Sequence, residues 1–195
     1  SSDVCLPICA RLIKTIGEEL ISDDKVAIIE LVKNSYDAYS SLYNGDPIVD
    51  IVFQGNVETC TDTSGSRKYI ISKKGASIII YDEGVGMDFN TIEHAWMEPA
   101  TNFKKLKENQ DPQKKYSGEK GIGRFASAKL ASKLELVTRR EGEDEIVVFF
   151  DWNMFSNEED YLDDVKINWQ IRPAQEINTH GTILKLYDLN DDWDE

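Results

Sequence analysis

Glu30, Asn34 and Asp37 are the residues in this chain whose types and spacing most directly suggest chemistry. They lie in the run Glu30-Leu31-Val32-Lys33-Asn34-Ser35-Tyr36-Asp37-Ala38, at i, i+4 and i+7. On a helix that spacing stacks an acid, an amide and an acid along one stripe. Two oxygen donors could hold a hard cation such as Mg²⁺, and a carboxylate could act as base toward a water molecule. A solvated polar stripe is the alternative that the helix alone leaves open.

Two glycine clusters add to this stripe. Ser77-Ile78-Ile79-Ile80-Tyr81 runs into Asp82-Glu83-Gly84-Val85-Gly86-Met87-Asp88. Glycines just after a buried strand let backbone approach a ligand closely, and Asp82 at the strand's mouth can accept a hydrogen bond from an amine. An ordinary glycine turn would read the same way. Further on, Ser117-Gly118-Glu119-Lys120-Gly121-Ile122-Gly123-Arg124-Phe125 precedes a run of Ala, Ser, Lys and Leu. Glycines feeding a helix N-terminus form a phosphate cradle, and Lys120 and Arg124 add charge. The pattern is neither a Walker A loop nor GxGxxG.

The elements that must position these residues follow from periodicity. Apolar residues Val26, Ile29, Val32, Tyr36 and Tyr39 predict a helix from about Asp23 to Tyr43, with Ser22 as N-cap. Residues 4–21 predict a preceding helix. Ile48 to Phe53 reads as a strand, Glu58 to Arg67 as a loop, and Tyr69–Ser72 with Ala76–Tyr81 as a hairpin around Lys73-Lys74-Gly75. Phe89 to Met97 reads as a short helix capped by Asp88, and Phe125 to Leu134 as a second helical run. Residues 98–120, with two prolines and no sustained period, read as a long loop. Leu134–Arg140, Glu145–Trp152, Val165–Arg172 and Thr182–Tyr187 read as strands in antiparallel succession. The expected fold class is α+β: a two-layer sandwich, its sheet mostly antiparallel, with helices on one face.

Composition sets the outer bounds. With 195 residues, 41% hydrophobic and 10% aromatic, the chain reads as one folded domain, 1–195, cut from the N-terminal part of a longer protein. No apolar run approaches the ~18 residues of a membrane helix, and the start has no signal-peptide pattern. Cys5, Cys9 and Cys60 form neither an even disulfide set nor a CxxC pair. A reduced, cytoplasmic protein is expected, with a nuclear one compatible in a eukaryote. The net charge of −14 argues against nucleic-acid binding by the whole domain. Residues 101–140, however, hold eleven Lys/Arg against four Asp/Glu. That basic island suits a compact anionic ligand or a partner surface, and leaves nucleic acid open at a dimer surface.

Taken together, the motifs resemble the GHKL ATPase superfamily (gyrase B, Hsp90, histidine kinase, MutL) and its Bergerat ATP-binding fold. Glu30-x-x-x-Asn34-x-x-Asp37-Ala38 is similar to its N box, Asp82-x-Gly84-x-Gly86-Met87 to its first glycine box, and Gly118-x-x-Gly121-x-Gly123 to its second. His180-Gly181-Thr182 with Leu184 and Leu186 looks like its late Gly-Thr strand. Four motifs in order span nearly the whole chain. Asp37-Ala38 and Gly118 to Phe125 sit closer to the Hsp90, MutL and MORC side, and residues 1–29 contain no His for a kinase phosphoacceptor.

The resemblance implies ATP and Mg²⁺ as cofactors and assigns roles by position. Glu30 would be the general base orienting water, and Asn34 the Mg²⁺ ligand. Asp82 would accept the adenine amino group, with Gly84, Gly86 and Met87 lining the base pocket and Thr182 supporting through a water. Residues 98–120 would form the ATP lid, with Lys104 and Lys120 near the phosphates. Gly118, Gly121, Ile122, Gly123, Arg124 and Phe125 would wrap the phosphates, and Asp37 would support the helix and ribose side. The implied function is a slow Mg²⁺-dependent ATPase that closes its lid and dimerises to drive conformational change in a larger protein. A histidine-kinase-type phosphotransfer domain and a non-catalytic ATP switch are the alternatives.

Overall fold

A computed structural model describes residues 10–19, 21–39, 46–61, 63–93, 123–157, 161 and 165–194. Helix α1 spans Ala10–Glu19 and α2 spans Asp24–Ala38. Asp23, not Ser22, caps α2: its Oδ1 accepts the Val26 N–H at 2.8 Å. A carboxylate here both satisfies an orphan amide and opposes the positive end of the helix dipole. The helix stops at Ala38 rather than Tyr43, because Tyr39 is extended and the Ala38 carbonyl accepts from Val85 N at 3.0 Å.

The buried face of α2 also differs from the expected stripe. Ala27, Leu31, Ser35 and Asp37 are buried, while Ile29 and Tyr36 are 51% and 54% exposed. Small side chains at 27 and 35, with Leu31 between them at i+4 spacing, let the helix lie close against its neighbours. The larger residues flank that contact and point outward.

Strands β1 (Val49–Gln54), β2 (Val57–Thr61), β3 (Arg67–Ile71) and β4 (Ser77–Asp82) follow. The sequence reading had a loop over Glu58–Arg67 and a hairpin joining Tyr69–Ser72 to Ala76–Tyr81. Instead β2 pairs with β3, and β1 pairs with β4. The chain thus runs out along β1 and β2 and returns along β3 and β4, so residues 72–76 are a bend within one arm. A Thr-rich stretch scored by polarity alone looks like loop; both faces of β2 are exposed, so no alternation marked it.

A helical turn, α3 (Phe89–Thr91), begins at Asp88, whose Oδ1 accepts from Thr91 N at 2.7 Å. The expected helix to Met97 passes outside the described residues. After a 3₁₀ turn at Gly123–Phe125, α4 covers only Ala126–Leu130, and β5 begins at Ala131 (Ala131–Arg139). The helical run expected to Leu134 is therefore half strand. β6 (Glu145–Asp151), β7 (Asn168–Arg172) and β8 (Gly181–Leu189) complete a six-stranded antiparallel sheet of order β1-β4-β8-β5-β6-β7. The acidic tail supplies β9 (Trp193–Asp194), which joins β2 and β3 in a second, three-stranded sheet.

One face of the large sheet carries the main core. Ile78, Ile80, Leu134, Leu136, Leu184 and Leu186 meet Leu31, Phe125, Ala128 and Leu130 from the helical layer. The opposite face holds a smaller cluster, Val137, Val147, Ile177 and Ile183. Glu145 locks the segment over that cluster. It is fully buried, and its Oε1 accepts from the backbone N–H groups of Gln175, Glu176 and Ile177 at 2.6–2.9 Å. Arg172 Nε donates to Oε2 at 2.9 Å. Burial opposes the charge, but these donors outweigh it and hold the carboxyl down at about 2.

A depressed folded-state value contributes stability above pH 4.5 that is lost as pH falls toward about 2. Glu145→Ala should lower the unfolding free energy by about 3 kcal/mol in urea, the scale of stranding buried donors. The wild type should lose stability across the same acid window, and a flat profile there would contradict the assignment.

Candidate functional site

Asp82 ends β4 on the same face as Ile78 and Ile80, so the strand's alternation delivers it to the helical side. It is 3% exposed. Its Oδ1 accepts the Gly84 N–H at 2.9 Å. Burial pushes the carboxyl up to about 6, against hydrogen bonds from the Gly84 backbone, the Ser35 side chain and the Thr182 backbone, and the nearby His180. Thr182 is its register partner across β4 and β8.

The turn after Asp82 is tied to three elements. Val85 N donates to Ala38 O at the end of α2 at 3.0 Å. His180 Nδ1 lies 2.8 Å from Gly84 O, and Met87 N donates to Thr138 Oγ1 on β5 at 2.9 Å. Asp88, beyond capping α3, pairs with Arg140 at 2.9 Å. Gly86 has a φ of +69° and passes so close to β5 that a Cβ there would stand 2.0 Å from Arg139 O. No side chain fits that position.

Glu30 and Asn34 come together beneath Gly123. A Cβ on Gly123 would stand 2.9 Å from Glu30 Oε2 and 3.4 Å from Asn34 Nδ2. Two glycine motifs and the helix stripe thus converge: α2 holds Asp82 through Ser35, holds the first glycine turn through Ala38, and meets the second at Gly123. Lys33 Nζ pairs with Glu30 Oε1 at 2.8 Å, leaving Oε2 on the Gly123 side.

Of the other expected site residues, Asp37 is buried at the end of α2, and Gly84 and Met87 lie in the pinned turn. Phe125 is 2% exposed, and its ring packs edge-on to Trp152 in the core. Lys104, Gly118, Lys120, Gly121, Ile122 and the whole 98–120 segment lie outside the described residues, as does the Arg124 side chain. Ser35, Thr138 and the His180 ring were not singled out from the sequence. Ser35 sits inside the helix motif, where a small hydroxyl among apolar neighbours is a usable signal. Thr138 lies on a strand far along the chain, and nothing local marks it.

The basic island resolves partly into local pairs. Lys133 bonds Asp188, Arg140 bonds Asp88, and Arg139 donates to the carbonyls of Glu143, Ile177 and Asn178. A crevice of about 250 Å³ between β5, β6 and residues 165–168 shares no residue with the Asp82–Glu30 cluster. Among the described residues no group of three or more His, Cys, Asp or Glu could hold a metal, and no helix is long and apolar enough to cross a membrane.

The described residues thus form an antiparallel sheet backed by helices, with a buried Asp at a glycine turn and an acid–amide pair under a second glycine. Residues 21–182 match the family described as histidine kinase-, DNA gyrase B-, and HSP90-like ATPase, and the chain belongs to that family, on its Hsp90-like branch. ATP is the ligand the family implies. The chain is similar to the chaperone protein HtpG of Geobacter metallireducens, 30% identical over 142 residues, covering 69% of this chain and 21% of the relative. HtpG of Ruthia magnifica is 29% identical over 141 residues, 68% of this chain and 21% of its own length. The chain spans about a fifth of the length of these curated relatives.

Because burial raises the Asp82 carboxyl from 3.8 to about 6, its contribution to stability is present below pH 3.8 and is lost as pH rises through about 6. Asp82→Asn, uncharged throughout, should match wild type in acid and exceed it above neutrality by up to about 3 kcal/mol. Urea titrations across this range read the difference. A wild type that gains stability relative to the Asn variant on ionisation would contradict the reading of Asp82 as under-compensated.

Proposed function

We propose that this domain binds ATP with Mg²⁺ and hydrolyses it slowly. In this reading residues 98–120 close as a lid and two copies come together to drive conformational change in a larger protein. The observation that carries the proposal is the double role of α2. One helix brings Glu30 and Asn34 against Gly123 and supports Asp82 and its turn through Ser35 and Ala38. The HtpG relatives are named chaperones, so handling of protein clients is the cycle's proposed output.

Asp82 accepts the adenine amino group, with Gly84, Gly86 and Met87 forming the wall of the base pocket and Thr182 assisting through a water. The donor set suits a hard cation that keeps most of its shell as water and phosphate oxygen: among the described residues, one amide from Asn34 and no carboxylate cage. Asn34 would hold Mg²⁺, which when bound neutralises phosphate charge. Backbone N–H groups from Gly118 to Phe125, above all Gly121, Ile122, Gly123 and Arg124, with Lys104 and Lys120, cradle the phosphates. Asp37 supports the ribose side. Glu30, through the oxygen not paired with Lys33, orients the attacking water and takes its proton.

One observation favours a second reading, a nucleotide switch without hydrolysis. Lys33 Nζ occupies Glu30 Oε1 at 2.8 Å, which leaves one carboxylate oxygen for a water. Glu30→Ala separates the two. It should leave ATP binding intact and slow hydrolysis by about 10²–10⁴-fold if Glu30 is the base. An unchanged rate would remove Glu30 from that role, and a wild type that binds ATP with no turnover would establish the switch.

A further inference from the structure

Gly17 lies buried in the last turn of α1, where the backbone is ordinary helix and asks for no special conformational freedom. Alanine is the better helix residue at such a position. What excludes a side chain is proximity. A Cβ at Gly17 would overlap the carbonyl oxygen of Phe125 and stand 3.0 Å from Ala128 Cβ. α1 therefore rests, backbone first, on the segment formed by the 3₁₀ turn Gly123–Phe125 and α4.

The same segment is held at its other contacts. α2 packs against it as well, and there Gly123 has no room for a Cβ above Glu30 Oε2. The Phe125 ring is buried edge-on to Trp152. At the far end Asn190 captures the last carbonyls of α4. Its backbone N donates to Leu130 O at 2.9 Å, and its Nδ2 to Ala128 O at 3.1 Å and Lys129 O at 2.8 Å. Residues 123–130 thus fit between these anchors without slack, and a push at Phe125 is passed on to Gly123 at the start of the same turn.

We propose that Gly17 is a positioning residue for the phosphate side of the site: by letting α1 close onto the Phe125 carbonyl, it sets the place of the Gly123–Phe125 turn above Glu30 and Asn34. A Cβ there moves the backbone N–H groups of that turn out of line with a phosphate. Asp82 and its own turn are held by Ser35, Thr182 and Ala38 instead, so the base side keeps its geometry. The inference rests on the ATP-binding reading above and adds to it a residue of α1 that touches no nucleotide.

The test compares binding of Mg²⁺·ATP and of adenosine to the intact protein and its Gly17→Ala variant. Wild type should favour Mg²⁺·ATP, and a wild type without that preference overturns the proposal. Gly17→Ala should weaken Mg²⁺·ATP by about 10–100-fold, the scale of one hydrogen bond to a charged group, and leave adenosine unchanged. A variant that keeps wild-type affinity for Mg²⁺·ATP, or loses adenosine equally, overturns the proposal. The variant should also melt below wild type although alanine favours helix; a higher melting temperature would show that α1 has room, and would overturn it too. If Gly17→Ala does not fold, Asn190→Ala frees the far end of the same segment: selective loss of Mg²⁺·ATP supports the claim, and equal loss or none overturns it. A wild type that binds neither ligand removes the ATP-binding reading, and this inference with it.

Discussion

The structure depends on keeping a carboxylate buried at the mouth of a central strand. Asp82 has almost no solvent, and removing water from a charge is costly unless donors replace it. Here the replacements come from three separate elements: Ser35 on α2, the Gly84 amide in the turn, and the Thr182 amide at the start of β8. Each donor requires its element to be where it is. The close approach of α2 through Ala27 and Ser35, the sharp turn at Gly86 and the pairing of β4 with β8 together bring these donors to it. Ala38 ends its helix where its carbonyl can meet the same turn.

The domain contains a second buried carboxylate, and the contrast is informative. Glu145 takes three backbone N–H groups and an arginine, and lies far below the usual carboxylate range, at about 2. It is a closed structural anchor. Asp82 receives fewer donors, has no arginine partner among the described residues, and lies above the usual range, at about 6. Two acids in one sheet, displaced in opposite directions, mark which one is saturated and which retains acceptor capacity for something else. In the proposed reading, a ligand amine supplies what the protein withholds.

The parts legible in the sequence were those governed by local rules. Alternation and turn residues gave the antiparallel strands from 134 on, and the apolar run 77–81 gave a strand flanked on both sides by β1 and β8. The glycine spacings with Asp82, and the stripe of Glu30 and Asn34, pointed to residues that α2 ties together in the fold. What failed was decided at long range. The buried face of α2 follows from close packing rather than from its largest apolar residues. The arm formed by β2 and β3 has little burial to betray it and pairs with β9 from the far end of the chain. Thr138 has no local signature, because its importance lies in where β5 places it.

The central claim is that Asp82 is the base-recognition group, and calorimetry of ATP·Mg²⁺ binding to wild type and Asp82→Asn tests it most directly. Binding by wild type that is lost in the Asn variant, with both equally folded, is the predicted result, because an amide cannot offer the same pair of acceptor oxygens to the base. Equal affinity in the two proteins would move the nucleotide away from Asp82 and contradict the account.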